Sequence, residues 1–179
     1  MTNNGTALEV EIGCGKGKFL VARAQVNPHI RFIGIDKSIK WMRRGIRRSE
    51  RQGLANLVFL KGWVLEILEK EIADASVSVF HIYFPDPWPK RRHHKRRLLQ
   101  NGFFSLLRQK LKPGGLVEVA TDDADYFEAI KKETALCALP WGGVREGRNE
   151  RLFPSDVKTN YELKYEADGR ELFYLELCK

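Results

Sequence analysis

The sequence predicts an α/β protein, a mostly parallel sheet with helices packed on its faces. Segments of strand and helix character alternate along most of the chain, as in successive βαβ units. A glycine-rich turn, Gly13-Cys14-Gly15-Lys16-Gly17, joins the first strand to the first helix, and Asp36 ends the second strand about twenty residues later. The 179 residues, 43% hydrophobic and 30% charged, fit one folded domain over residues 1–179, with no internal repeat and no linker.

The elements follow in order. Ala7 to Ile12 is a short strand carrying two acids, Glu9 and Glu11, among its apolar residues. Lys18 to Val26 reads as a helix, stopped at Asn27-Pro28 because a proline disfavours the helical conformation in the residue before it. Arg31 to Ile35 is the second strand. Ser38 is placed to cap a helix running to about Gln52, with Ile39, Met42 and Ile46 inward and its basic residues outward. Asn56 to Leu60 is a third strand, Leu65 to Ile72 a short helix, and Val77 to Phe84 a fourth strand. Leu99, Phe103, Leu107 and Leu111 recur at helical spacing within Leu98 to Leu111, and Lys112-Pro113-Gly114-Gly115 turns the chain into a fifth strand, Leu116 to Ala120. Asp123 to Leu136 reads as helix. Beyond Trp141 the pattern is less regular until a last strand, Glu171 to Cys178, where Leu172, Tyr174 and Glu176 alternate with Phe173, Leu175 and Leu177.

Charge distribution narrows the partner. The net charge is +8, but residues 37–51 and 88–97 together hold 13 of the 31 basic residues and one of the 23 acids. The rest of the chain is therefore slightly acidic, and two dense basic runs on such a body point to a polyanion, nucleic acid first. Cys14, Cys137 and Cys178 are far apart and form no Cys-x-x-Cys pair, which argues against a disulfide framework or a zinc site. His93 and His94 stand among cations with no acid or cysteine cluster beside them, so no metal is expected; His29 and His81 are isolated and are assigned no role. No apolar run approaches the roughly 20 residues that cross a bilayer, and Met1–Thr6 is polar, unlike a signal peptide. A cytoplasmic protein is expected.

The glycine turn and Asp36 suit a nucleoside cofactor. Glycines let the backbone turn tightly and approach a ligand, while a carboxylate at the end of the second strand can accept from both ribose hydroxyls. The spacing is Gly-x-Gly-x-Gly. Lys18 takes the place of a dinucleotide fingerprint's third glycine, and the Gly-Lys-Ser/Thr of a phosphate-binding loop is absent, so nicotinamide and nucleotide-triphosphate readings are weakened. Glu11 is placed to meet a cationic group of the cofactor, or to pair with a neighbouring lysine.

Phe84-Pro85-Asp86-Pro87-Trp88-Pro89 is the most unusual stretch. Alternating prolines push Phe84, Asp86 and Trp88 toward extended conformations and stiffen the segment. It follows a strand, at the carboxyl edge where open α/β sheets bind ligands, and the second basic run follows at once. A fixed carboxylate and an aromatic beside such a run suit a purine base; the plain alternative is a rigid connector.

Residues 84–97, Phe-Pro-Asp-Pro-Trp-Pro-Lys-Arg-Arg-His-His-Lys-Arg-Arg, closely resemble the signature of the tRNA (guanine-N7-)-methyltransferases. Glu11 to Gly17 resembles that family's cofactor loop, Asp36 its ribose acid, Thr121-Asp122 its substrate-side pair, and Thr159-Asn160-Tyr161-Glu162 its Thr-Lys-Phe-Glu motif. The resemblance implies a Rossmann-like class I methyltransferase: a seven-stranded, mostly parallel sheet with an antiparallel last strand and helices on both faces. It implies S-adenosylmethionine as cofactor, S-adenosylhomocysteine as product, and a guanine in the variable loop of tRNA as substrate, with no metal, no membrane and a monomer or weak homodimer. Glu11, Gly13, Gly15, Gly17 and Asp36 would bind the cofactor. Asp86 takes the catalytic aspartate position, beside cofactor and substrate alike. Lys90, Arg92, His93, His94, Lys95, Arg96 and Arg97 take the RNA-contacting positions, and Asp122, Thr159, Asn160, Tyr161 and Glu162 would help hold the base. Two departures stand out. Trp63 occupies the place of an acid that contacts adenine, where it would stack on the base or fill the pocket. The family also carries several tens of residues before its first strand, where an RNA contact or lid would lie; this sequence has six.

Two rival readings keep the same fold: a non-catalytic RNA-binding protein, and a methyltransferase for another RNA or a small molecule. A small substrate would not need the basic run. A nicotinamide-dependent oxidoreductase is disfavoured by Lys18.

Overall fold

The alternation resolves into one seven-stranded sheet. The computed structural model describes residues 6–152 and 157–179, so Met1–Gly5, most of the polar opening segment, lie outside the described residues. Strands β1 (Leu8–Ile12), β2 (Arg31–Asp36), β3 (Leu57–Lys61), β4 (Val77–Tyr83), β5 (Leu111–Thr121), β6 (Gly143–Arg148) and β7 (Phe173–Cys178) stand in the order β3-β2-β1-β4-β5-β7-β6. From β3 to β5 every pairing is parallel; β7 runs antiparallel to both β5 and β6. The connecting helices are α1 (Lys18–Val26), α2 (Ile39–Arg51), α3 (Val64–Lys70), α4 (Asn101–Lys110), α5 (Ala124–Ala135) and α6 (Asn160–Ala167). The expected sheet, with its antiparallel last strand, is the observed one. Among the described residues, no helix is long and apolar enough to cross a membrane.

Strand periodicity makes the two faces of the sheet unlike. Val10 and Ile12, Phe80 and Ile82, Val117 and Val119, and Leu175 and Leu177 form one apolar face that packs with Leu68, Phe103, Phe104, Leu107, Tyr126 and Ile130 of α3, α4 and α5. Each such side chain contributes about 1.5–3 kcal/mol on burial, so this face carries most of the core. The other face holds Glu9, Glu11, His81, Glu118 and Glu176, all buried, because strand alternation sends them opposite the valines and leucines. Leu20, Val21 and Ala24 of α1 and Met42 of α2 pack with Phe32 and Leu57 at its β2–β3 end.

The glycine turn is wedged under α2. A Cβ on Gly17 would sit 2.7 Å from the Phe59 ring and 3.2 Å from the Gly45 Cα, and one on Gly45 would sit 3.1 Å from the Lys16 carbonyl. Glycine at both positions lets α2 cross the turn backbone against backbone.

Several local expectations need correction. Ile39 is 37% exposed, whereas Met42 is fully buried, because helical spacing turns Met42, Gly45 and Ser49 inward. Ser38 stands at the N-cap of α2 without a side-chain capping bond. α4 begins at Asn101 rather than Leu98, because a 3-10 turn over residues 91–96 is followed by a non-helical stretch that ends at the extended Gln100. The Lys112–Gly115 turn lies within β5: pairing jumps from Val77–Leu111 to Val79–Leu116, and the extra residues bulge at Gly114, whose φ is +72°. β6 and α6 were not anticipated.

Candidate functional site

The carboxyl ends of β1, β2, β4 and β5 converge on one edge. After β1, Gly13, Gly15 and Gly17 all have positive φ (75°, 50° and 61°), a conformation that L side chains rarely adopt. Around Gly13 and Gly15 a Cβ would meet nothing closer than 3.9 Å, so open space lies over the turn. Its backbone is tied to β2, with Gly13 and Cys14 amides donating to the Ile35 carbonyl at 2.8 and 3.1 Å. Asp36 accepts from the Gly15 amide (3.0 Å) and the Ser38 amide (2.8 Å). Those amides fix the carboxylate and leave it lone pairs for further donors.

Glu11 lies on β1 just before the turn. It is 5% exposed, and its Oε2 is buried with no hydrogen-bond partner. Burial pushes its carboxyl up to about 8; the charges of His81 and Arg151 oppose that shift and Asp36 adds to it. A buried carboxyl group without a partner, beside an open glycine turn, fits the ammonium of the cofactor that the resemblance implies, and among the described residues no lysine pairs with it. Trp63 caps α3 and is 66% exposed, with the Lys37 ammonium 5.9 Å from its ring centre. It therefore does not fill a pocket, and one face is free to stack.

The proline-bracketed segment departs from expectation in conformation. Phe84 and Trp88, the residues before Pro85 and Pro89, have φ of 52° and 48° rather than extended values. Proline excludes the right-handed helical region, and tertiary contacts then hold the left-handed one. The Phe84 amide donates to the Ala120 carbonyl at 2.7 Å, and its ring packs on Tyr161 and Tyr165 with centroids 5.7 and 5.4 Å apart. Trp88 meets the His93 ring edge-on at 5.8 Å and lies under the Arg96 guanidinium at 5.1 Å. Such conformations cost about 1–3 kcal/mol each and persist where the surroundings enforce them. Asp86 sits exposed between the two turns.

The basic run divides. Lys90, Arg92, Lys95 and Arg96 are exposed, and His93 and His94 are half-exposed. Arg97 is 7% exposed: its Nε donates to the Pro87 carbonyl at 2.8 Å, its Nη2 to Asp125 at 2.5 Å, and its guanidinium covers the Tyr126 ring at 4.7 Å. Arg97 anchors the Asp86 segment, so its guanidinium, unlike those of Arg92 and Arg96, is already engaged within the protein.

The substrate-side motif divides in the same way. Asp122 pairs with Arg170 at 2.8 Å. Thr159 and Glu162 form a capping box for α6, Thr159 Oγ1 accepting from the Glu162 amide and Glu162 accepting from the Thr159 amide. Glu162, fully buried, also accepts from the Tyr174 hydroxyl at 3.3 Å. These two side chains hold the helix end, which differs from the expected contact with a base. Asn160 and Tyr161 remain at the surface: Asn160 accepts from Lys18 at 2.8 Å, and Tyr161, 54% exposed, covers Phe84. α6 thereby bridges the glycine turn and the proline segment.

One cluster has no sequence signature. His81, on β4, lies between Glu9 of β1 (2.9 Å) and Glu118 of β5 (2.8 Å); Arg23 donates to both oxygens of Glu9, and the Tyr83 hydroxyl donates to Glu118. Burial alone would lower the His81 pKa, but Glu118 and then Glu9 hold it up at about 9. At neutral pH it is an imidazolium donating to both carboxylates. Because its folded pKa exceeds the ordinary 6.5, its stabilising contribution is complete below pH 6.5 and lost as pH rises through about 9. His81→Gln is expected to lower stability by about 3–5 kcal/mol at pH 7, because the buried Glu118 carboxylate loses its cation and keeps only the Tyr83 hydroxyl, while Glu9 keeps Arg23. Urea midpoints should then fall much less than in the wild type between about pH 6.5 and 9; an equal fall in the variant would exclude His81 as the cause.

Comparison with known proteins gives this geometry relatives. Residues 6–175 match a family described as putative methyltransferase. A tRNA (guanine-N(7)-)-methyltransferase of Nitrosococcus oceani is 36% identical over 166 residues, spanning 93% of this chain and 69% of that protein. A protein of the same name from Nocardia farcinica is 45% identical over 123 residues, 69% of this chain and 46% of its own length. The chain thus spans between about half and two thirds of these relatives. Among solved structures, an antibiotic-related methyltransferase matches with a TM-score of 0.66 at 21% identity, over 97% of this chain and 87% of that one, and so shares its fold.

Proposed function

We infer the function from one premise: the chain belongs to the tRNA (guanine-N(7)-)-methyltransferase family. On that premise it transfers a methyl group from S-adenosylmethionine to N7 of a guanine in the variable loop of tRNA, releasing S-adenosylhomocysteine. Residues 1–179 act as one methyltransferase domain, in the cytoplasm, as a monomer or weak homodimer. The observation that carries the reading is the placement of Asp86. It projects from a doubly turned segment at the end of β4, next in the sheet to the strand bearing Glu11 and the glycine turn, with exposed cations directly after it.

S-adenosylmethionine, when bound, supplies a methyl already activated by its sulfonium. Guanine N7 carries a lone pair and no proton, so the protein's tasks are alignment and charge compensation rather than deprotonation. Glu11 accepts the cofactor's ammonium, Asp36 its ribose hydroxyls, and Trp63 stacks on its adenine, while the turn of Gly13, Gly15 and Gly17 lets the backbone approach. Asp86 accepts from the N–H edge of guanine and offsets the positive charge that develops on the methylated ring. Asp122, Asn160 and Tyr161 border the base, Asp122 held by Arg170 and the other two by the Thr159–Glu162 capping box.

The reading is tested by incubating the protein with methyl-labelled S-adenosylmethionine and unmodified tRNA, then digesting the RNA. Label in 7-methylguanosine is expected. Label in another nucleoside would overturn the substrate, and tRNA binding with no label would favour a binding-only protein. Replacing Arg92, Lys95 and Arg96 by Gln is expected to weaken tRNA binding and flatten the plot of log affinity against log salt by about 2 to 3 units, at roughly 0.7–0.9 per lost phosphate contact. An unchanged slope would remove this run from the interface.

A further inference from the structure

A second concentration of charge lies outside the site. Between residues 37 and 51 stand seven cations and one acid, and among the described residues none of the seven lies within ion-pairing distance of a carboxylate. Met42, Gly45 and Ser49 face inward, which leaves Lys40, Arg44, Arg47 and Arg51 on one outward strip at helical spacing. Like charges three and four residues apart repel, and Lys37 and Lys40 oppose the dipole at the N-terminus of α2. Among the described residues no carboxylate pairs with these cations, so a bound polyanion would relieve their repulsion.

The face is also not merely polar. Trp41 is 49% exposed beside the strip, with the Lys16 ammonium 5.4 Å from its ring centre. Cations around an aromatic platform suit a nucleic-acid strand, phosphates on the cations and a base on the ring. The position agrees. α2 starts beside Asp36 and crosses the glycine turn at Gly45, so the strip begins at the rim of the site and extends about 20 Å from it. The run at 90–96 leaves the end of β4, about 10 Å and two strands away from β2, on the other side of β1.

We propose that the outer face of α2 is a second RNA-contact surface, where Lys40, Arg44, Arg47 and Arg51 take phosphates of the substrate RNA and Trp41 stacks an unpaired base. This rests on the reading that RNA is the substrate, and it adds where the RNA continues: across the cofactor loop, from the β4 side to the β2 side.

The test compares tRNA affinity between about 50 and 300 mM salt for the wild-type chain, K40Q/R44Q/R47Q, R92Q/K95Q/R96Q and Trp41→Ala, with S-adenosylhomocysteine binding and thermal melting as checks on the fold. The α2 triple is expected to bind tRNA at least about tenfold more weakly at low salt, with the slope reduced by about 2 units or more. Trp41→Ala should cost about fivefold or more even at high salt, where phosphate contacts are screened. Both should bind S-adenosylhomocysteine normally. Unchanged affinity and slope in the α2 triple, with a reduced slope in R92Q/K95Q/R96Q, would overturn this proposal and leave the substrate reading standing. No change in either triple would overturn this proposal and remove both basic runs from the interface, while the labelled-nucleoside assay judges the substrate reading separately. Undiminished tRNA binding with lost adsorption to phosphatidylserine vesicles would assign the face to a membrane surface and overturn the proposal.

Discussion

Asp86→Asn is expected to lower the rate of methyl transfer about 100- to 1,000-fold while tRNA and S-adenosylhomocysteine bind as before. The substitution keeps the shape of the side chain and one accepting oxygen, turns the other into an N–H donor, and removes the charge. If Asp86 simply oriented the guanine, Asn would preserve much of the activity. The larger loss follows from the reaction itself, because the guanine ring gains a positive charge as N7 is methylated, and a fixed carboxylate favours the charged ring over the neutral one. That preference is strongest where water is excluded. In the free protein Asp86 is exposed, so bound RNA must supply the dry surroundings, and Phe84 and Trp88 must keep the carboxylate from moving as it docks. Single-turnover measurement with saturating tRNA isolates the chemical step. A rate within about threefold of wild type would remove charge compensation by Asp86 from the mechanism.

The proline rule captured only part of this geometry. It excluded the helical region for Phe84 and Trp88, but the choice between extended and left-handed backbone was made by Tyr161, Tyr165, His93 and Arg96, all distant or later in the chain. The same division runs through the molecule. β1 to β5, β7 and α1 to α5 were legible because each buries a periodic apolar face. β6 was not: Gly-Val-Arg-Glu-Gly-Arg is an exposed edge strand whose only apolar side chain, Val144, is 53% exposed, and its pairing with β7 alone defines it. α6 announced itself only by Thr159-x-x-Glu162, which reads equally as a capping box or as a substrate motif until the burial of Glu162 shows its structural part. Arg97 is indistinguishable in sequence from its exposed neighbours, and only the Pro87 carbonyl and Asp125 reveal an anchor. His81 meets Glu9 across 72 positions and Glu118 across 37. Strand order and register create that contact, and neither was readable from the three strands separately.

Glu11→Gln is expected to move stability and cofactor binding in opposite directions. In the folded chain the Glu11 carboxyl titrates at about 8, against an ordinary 4.5. Between those values the folded state holds a proton that the unfolded state has released, so the contribution of Glu11 to stability falls as pH rises from 4.5 to about 8. Gln fills the same space without a charge to bury, and the variant should resist urea better than wild type at and above pH 8, with a flatter dependence across the window. Cofactor binding should suffer by contrast, because an ammonium placed against Glu11 would lose its counter-charge. S-adenosylhomocysteine, which carries the same amino acid end, should bind about 30-fold more weakly or worse. The wild-type protein also has a signature that an uncharged site would lack. Near pH 7 Glu11 is mostly protonated, and an ammonium bound beside it favours the carboxylate, so binding should release most of one proton at that pH. Calorimetric titrations in buffers of different ionisation enthalpy measure that release directly, and it should vanish in Glu11→Gln. Equal affinity in the two proteins, with no buffer dependence in either, would place the ammonium elsewhere and leave Glu11 as a buried acid whose only effect is to destabilise the fold as pH rises from 4.5 to about 8.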